Sequence, residues 1–411
     1  MSATERYGAP VTEAAESPLR IRVAGREYRW WAVVLVVFTA SRVLTTTLML
    51  ALFLIATAAH WPFASSRADP TFFTFSGSWD ASFYRRIAEH GYPAELPTDG
   101  AGHVLPNEWA FLPLFPWIVR GLMLVTGLGF YPAAVIFAVV CSAAATLLLY
   151  RLVASRVGAT SGLWAAIFFS FGPLAFVLQI AYAESLFFLL IFGALWAVMA
   201  RRYWWSIPLG VAAAFTRPGE LALPLTIGVV FVVRLVQERR TAGLFPLREK
   251  IAMVAAGALT AIAGVAWPLI ASAATGSPDA YLQTELSWWT GFVGRIEFVP
   301  MATWFVLVWR YANVFGVALV VAVVIGFVWL LRRRSIRALG LEVIAFAASY
   351  GLYLFAVFLP QQSLFRLLIP MAPLAGAPGL THRPRARMIV LIVGIVLQPV
   401  ALVLLWYLGY P

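Results

Sequence analysis

The densest run of residues whose types suit proton transfer and anion binding is Ser78-Trp79-Asp80-Ala81-Ser82-Phe83-Tyr84-Arg85-Arg86-Ile87-Ala88-Glu89-His90-Gly91-Tyr92-Pro93. Trp79, Phe83, Tyr84, Ile87 and Ala88 recur at three- and four-residue intervals, with Ser82, Arg85, Arg86 and Glu89 opposite them. The stretch therefore reads as a short amphipathic helix lying on a membrane surface. Gly91 is the expected C-terminal stop, and Pro93 blocks continuation. Asp80 falls in the first turn, and spacing alone favours a plain role for it: complementing the helix dipole or capping the N-terminus, with Ser78 as the competing cap. His90 has two readings, as a phosphate or hydroxyl partner and as a hydrogen-bonded helix-end histidine.

Four further clusters carry charge into apolar sequence. Asn107-Glu108-Trp109 precedes an aromatic, Pro-broken segment, where Glu108 either anchors a helix end at the interface or walls a site at headgroup depth. Ala181-Tyr182-Ala183-Glu184-Ser185 is an acidic turn between two apolar runs, and Glu184 there also suits a helix start. Thr216-Arg217-Pro218-Gly219-Glu220 interrupts another apolar stretch, and Arg366 follows Gln361-Gln362-Ser363 at a helix end. An Arg within a span costs about 2.5 to 3.5 kcal/mol on insertion scales and is normally retained for a partner or a path. Guanidinium forks match phosphate oxygens, so Arg217 and Arg366 are candidates to hold an anionic phosphate. Arg42, inside the first span, reads instead as structural and paired with a neighbouring helix.

The elements that must position these residues are membrane helices. Of 411 residues, 62% are hydrophobic and 12% charged, against about 25% charged in an ordinary soluble domain. The span rule of about 20 apolar residues predicts an all-α, polytopic transmembrane protein. Its candidate helices, about eleven in all, lie near 30–58, 132–152, 161–180, 184–200, 204–215, 219–236, 251–272, 304–331, 338–359, 364–380 and 387–408. The stretch 204–215 is short for a span, 304–331 invites a break near Tyr311 and Asn313, and 109–129, interrupted by Pro113, Pro116 and Arg120, reads as re-entrant or interfacial. Residues 1–29 form a polar N-terminal tail expected to begin without regular structure, and 30–411 form a single transmembrane domain.

A cytoplasmic N-terminus places 21 of the 30 Lys and Arg residues on the inner side, as the positive-inside rule requires. The net charge of +12 is thereby an orientation signal, and no nucleic-acid partner is expected. Segment 61–110 holds six of the 18 acids, Asp69, Asp80, Glu89, Glu95, Asp99 and Glu108, against three Arg residues. The outer segments 61–130 and 273–303 exceed what a simple bundle needs, and loops of that length carry function. The active face is therefore expected to be the non-cytoplasmic side of a multi-pass cell-membrane protein. One cysteine, Cys141, excludes an intramolecular disulfide. The four His residues are too scattered for a zinc motif, so no metal or other cofactor is expected.

Trp79-Asp80-Ala81, Phe83, Ile87-Ala88-Glu89-His90-Gly91-Tyr92, then Glu108, Ala110-Phe111, Pro113 and Phe115-Pro116 resemble the first luminal loop of the PIG-V family of GPI mannosyltransferases. Ala181-Tyr182-Ala183-Glu184-Ser185-Leu186-Phe187 is similar to a second segment of that family, Thr216-Arg217-Pro218-Gly219 to its Arg-containing turn, and Phe365-Arg366 with Pro370 to a third. The resemblance implies a GT-C-like glycosyltransferase that moves mannose from a polyprenyl-phosphate-mannose donor to a lipid or glycan acceptor outside the cytoplasm. It implies Asp80 as general base, with Trp79, His90, Glu108, Glu184, Arg217 and Arg366 around the substrates. Such a donor carries one phosphate and needs no metal to neutralise a diphosphate, and the chain contains no Asp-x-Asp. The Arg- and Ala/Val-rich composition reads as that of a high-GC bacterium, in which the acceptor is expected to be something other than a GPI anchor. The alternative class is a multispanning lipid transporter or flippase without catalysis. Transporters show repeated halves and midplane polar groups, whereas here the acids concentrate in one outer loop.

Overall fold

The computed structural model describes residues 20–23, 26–62, 70–240 and 245–409. Residues 1–19 of the tail, and Arg67 and Asp69 of the first long loop, lie outside the described residues. The described part of the tail is a hairpin, β1 (Arg20–Val23) antiparallel to β2 (Arg26–Arg29) with Arg20 opposite Arg29, which runs straight into helix α1 (Trp30–Ala58).

The amphipathic stretch forms α2 (Ala81–His90), ending at Gly91 with φ 83°, a conformation that an L side chain rarely adopts. Its Ala81, Tyr84, Ile87 and Ala88 are buried. There follow α3 (Leu114–Thr126), α4 (Phe130–Val157), α5 (Ala159–Phe171), α6 (Glu184–Met199), α7 (Tyr203–Ala214), α8 (Ala222–Glu238), α9 (Leu247–Thr275) and α10 (Ala280–Ser287). The chain closes with α11 (Ala302–Arg332), α12 (Leu341–Val357), α13 (Leu364–Leu367) and α14 (Pro384–Leu402), the last continued by a π turn over Val403–Tyr407.

Among the described residues, α1, α4, α9, α11 and α14 with its continuation are long and apolar enough to cross a bilayer, while α3, α5, α6 and α12 are apolar but shorter. The chain is an all-α, multi-pass membrane protein. The expected eleven spans are not eleven such helices, and the differences have local causes. Pro370, Pro373 and Pro378 each remove a backbone donor, so 364–380 becomes α13, a 3-10 segment (Ile369–Gly376) and a short turn of helix (Pro378–Thr381) rather than a span. Stretch 109–129 becomes a 3-10 turn at Glu108–Ala110 followed by the 13-residue α3, too short to cross alone. Helix α11 is interrupted at Asn313 (φ 48°, ψ −135°), within the region where a break was expected.

Helices α4 and α6 sit at the centre. Nearly every side chain of α6 is buried, as suits a helix apolar all the way round. Helix α11 shows the opposite pattern, with Val314, Phe315, Leu319 and Ile325 exposed, the face such a helix turns to lipid. Arg42 of α1 is buried and donates to the carbonyls of Ala175 (2.7 Å) and Ser170 (3.0 Å) and to Gln179 Oε1 (3.0 Å). It thereby satisfies acceptors around the end of α5 and the following 3-10 segment Ala175–Gln179, the structural pairing expected of it.

Candidate active site

A cavity of about 770 Å³ opens between the segment leading into α2, the turn after α7, helix α10 and the Pro-rich stretch around α13. Trp79, Asp80, Arg217 and Arg366 line it, together with Tyr84, Tyr281, Glu285 and Tyr353.

Asp80 occupies the N-cap position of α2, but its side chain makes no capping hydrogen bond. Ser78 does not take that role either, because its hydroxyl donates to the Phe75 carbonyl. The Asp80 carboxylate faces Arg366 instead, with Oδ2 2.7 Å from Nη1. The backbone N–H of Asp80 donates to the Tyr182 hydroxyl (3.1 Å), which in turn donates to the Ser78 carbonyl (3.2 Å). Trp79 adopts φ 57°, and its indole N–H donates to the Trp406 carbonyl at 2.9 Å. The end of the last helix therefore braces the residue before Asp80.

Glu184 starts α6, where the helix dipole favours a carboxylate. It also does more: Oε1 pairs with Arg217 and lies 3.1 Å from Nη1 of Arg366. Only 1% of Glu184 is exposed, so it sits behind the cavity wall and bridges the two arginines. Arg217 comes from a turn that Gly219 makes possible. Gly219 holds φ 113°, and a Cβ there would lie 2.9 Å from the Tyr350 ring. Asp80, Arg366, Glu184 and Arg217 thus form one alternating chain of charge. Burial works against a charged guanidinium, but Asp80 and Glu184 outweigh it and hold Arg366 above the ordinary arginine range. The Arg366 guanidinium also lies 5.3 Å from the Tyr182 ring centre, and its Nε has no hydrogen-bond partner among the described residues.

Two of the expected residues lie elsewhere. Glu108 pairs with Arg86, tying the 3-10 turn at Glu108–Ala110 to α2. His90 has a side chain 77% exposed and 3.8 Å from Glu89, and it is not part of the cavity lining.

The aromatic part of the lining is built from Phe83, Phe111 and Trp288. Phe83 and Phe111 stack with centroids 4.7 Å apart, and Trp288 packs edge-on to Phe83 at 5.2 Å. Asp99 of the first long loop pairs with Arg295 of the second at 2.6 Å. The backbone N–H of His103, then the Arg295 guanidinium, hold the Asp99 carboxyl well below the usual carboxylate range. Among the described residues, no three His, Cys, Asp or Glu side chains gather in a metal-binding arrangement.

Residues 27–222 match the family model described as Mannosyltransferase (PIG-V). Over these residues, just under half of its length, the chain is similar to the PIG-V mannosyltransferase family. It is accordingly a glycosyltransferase enzyme of the membrane. A search of curated proteins finds no match. The PIG-V match includes Asp80, Glu184 and Arg217, whereas Arg366 and Glu285 come from the chain beyond it. Sequence reasoning did not single out Tyr182, Tyr281, Glu285, Trp288 or Trp406 as site residues. Tyr182 lay within the Ala-Tyr-Ala-Glu-Ser segment that carries the PIG-V likeness, and Glu285 lay within the second long loop. For Trp406, on an apolar C-terminal helix, no local signal existed.

Proposed function

We propose that this enzyme transfers mannose from polyprenyl-phosphate-mannose to a lipid or glycan acceptor on the non-cytoplasmic face, with inversion and with Asp80 as general base. In that reaction the Asp80 carboxylate takes the proton of the acceptor hydroxyl as its oxygen attacks C1 of mannose. The bond from C1 to the phosphate oxygen breaks, and its electron pair leaves with the polyprenyl phosphate. Arg366 and Arg217 stabilise the charge developing on that phosphate.

The observation that carries this reading is the ion pair of Asp80 with Arg366 at the wall of one cavity, which sets a carboxylate beside a phosphate-compatible guanidinium. Glu184 supports it by holding both arginines from behind. The test is mannose transfer from polyprenyl-phosphate-mannose by the full chain in proteoliposomes, comparing wild type with Asp80→Asn. Transfer that disappears in a folded variant supports the reading. Unchanged turnover overturns the assignment of Asp80, and lipid movement with no mannosylated product would favour a flippase.

A further inference from the structure

Besides Asp80, the cavity lining contains one more carboxyl group, and the reaction above does not use it. Glu285 stands on α10, in the second long loop, and lines the cavity together with Tyr281, Leu282, Leu286 and Trp288. It forms no ion pair among the described residues, and Tyr281 stands one helical turn before it on the same helix. Asp80 differs in being held by Arg366.

Glu285 is thus a half-buried carboxyl facing a cavity whose lining also includes the Phe83, Phe111 and Trp288 rings. A polyhydroxyl ring suits such a wall: aromatic faces pack against its C–H surfaces, and a carboxyl fixes its hydroxyls through directional hydrogen bonds. A phosphate suits it poorly, because a carboxylate repels it. The two arginines already provide the cationic part of the same cavity.

We infer that Glu285 is the acceptor-binding residue of this enzyme, accepting a hydrogen bond from a sugar hydroxyl of the acceptor other than the one that attacks. The assignment rests on the mannosyl-transfer reading above and deepens it. It divides the cavity by charge, with donor phosphate toward Arg217 and Arg366 and acceptor sugar toward α10. Burial raises the Glu285 carboxyl to about 7, which leaves both protonation states accessible near neutrality for hydrogen bonding to a hydroxyl.

The test measures initial rates of mannose transfer from radiolabelled polyprenyl-phosphate-mannose by the full chain in proteoliposomes, titrating as acceptor the total lipid extract of the membranes that supply the protein. Removing a hydrogen bond to a charged group predicts that Glu285→Ala raises the half-saturating amount of acceptor extract by about tenfold or more. The half-saturating donor concentration should stay unchanged. Glu285→Gln keeps the volume and one acceptor oxygen, so it should recover part of the loss. Unchanged acceptor half-saturation in folded Glu285→Ala and Glu285→Gln, or an equal rise for donor and acceptor, overturns the assignment. A wild-type protein that transfers no mannose overturns the reading beneath it, so the two failures are distinguishable.

Discussion

Arg366, on a four-residue helix in the Pro-rich stretch, holds its Nη1 2.7 Å from Oδ2 of Asp80 at the head of α2. The pairing removes Asp80 from the capping role that its position suggests and ties the C-terminal third of the chain to the segment matched by the family. A carboxylate and a guanidinium thereby occupy one wall of the cavity.

Asp80→Asn keeps size and shape but loses the proton acceptor. A general base contributes about 10²- to 10⁴-fold, so transfer should fall by that factor while half-saturation by the donor changes little. Single-turnover rates in proteoliposomes check this. A loss seen only in donor half-saturation would show that Asp80 binds and does not take the proton.

The pair of Glu184 with Arg217 should behave as a coupled unit. Arg217→Gln alone leaves a carboxylate that is 1% exposed with one of its two cationic partners gone, so it should destabilise the protein. Adding Glu184→Gln should restore part of the stability, with a coupling energy of about 1–3 kcal/mol in a double-mutant cycle. Denaturation of the detergent-solubilised protein measures it, and strict additivity would dismiss the coupling.

Trp79→Phe retains an aromatic ring but deletes the N–H that reaches the Trp406 carbonyl. The expected cost is about 1 kcal/mol of stability. A drop in turnover larger than the drop in stability should accompany it, because the same brace sets the backbone leading into Asp80. If turnover follows the folded fraction alone, the brace does not position the base.

Glu285 gives a pH signature. Burial raises its carboxyl from the ordinary 4.5 to about 7; the Tyr281 hydroxyl and Arg217 pull it down, and Asp80 pushes it up. Tyr353 is the further titratable group facing it. Because the folded value exceeds the unfolded one, the stability gained from the protonated group is full below pH 4.5 and is lost as pH rises to about 7. The thermal midpoint of wild type relative to Glu285→Gln should therefore fall over that window and level off above it. A difference that does not vary with pH would exclude the shift.

Much of this protein is legible in the order of its residues, because the bilayer imposes strict requirements. A helix must satisfy its own backbone in lipid, so long apolar runs such as Trp30–Ala58 and Phe130–Val157 declare themselves by length and composition. The amphipathic period of α2, its stop at Gly91 and the break near Asn313 are equally local. The motif around Asp80 carries the family likeness, and Arg217 and Arg366 stand out because charge in apolar sequence needs a reason.

The partners of those charges were decided only by tertiary structure. Whether Asp80 caps its helix or faces an arginine depends on where the Pro-rich stretch returns, and no spacing within α2 encodes that. Glu184 shows the same limit: a carboxylate at a helix start looks complete by itself, yet packing places two guanidinium groups against it. His90, at the far end of the helix that Asp80 heads, and Glu108, held by Arg86 on a separate 3-10 turn, both fall outside the cavity lining. Glu285 entered the site for the converse reason. A long loop folded the first of its short helices against the cavity, and a carboxyl with no distinctive neighbours in sequence came to face Asp80 and Arg217 across space.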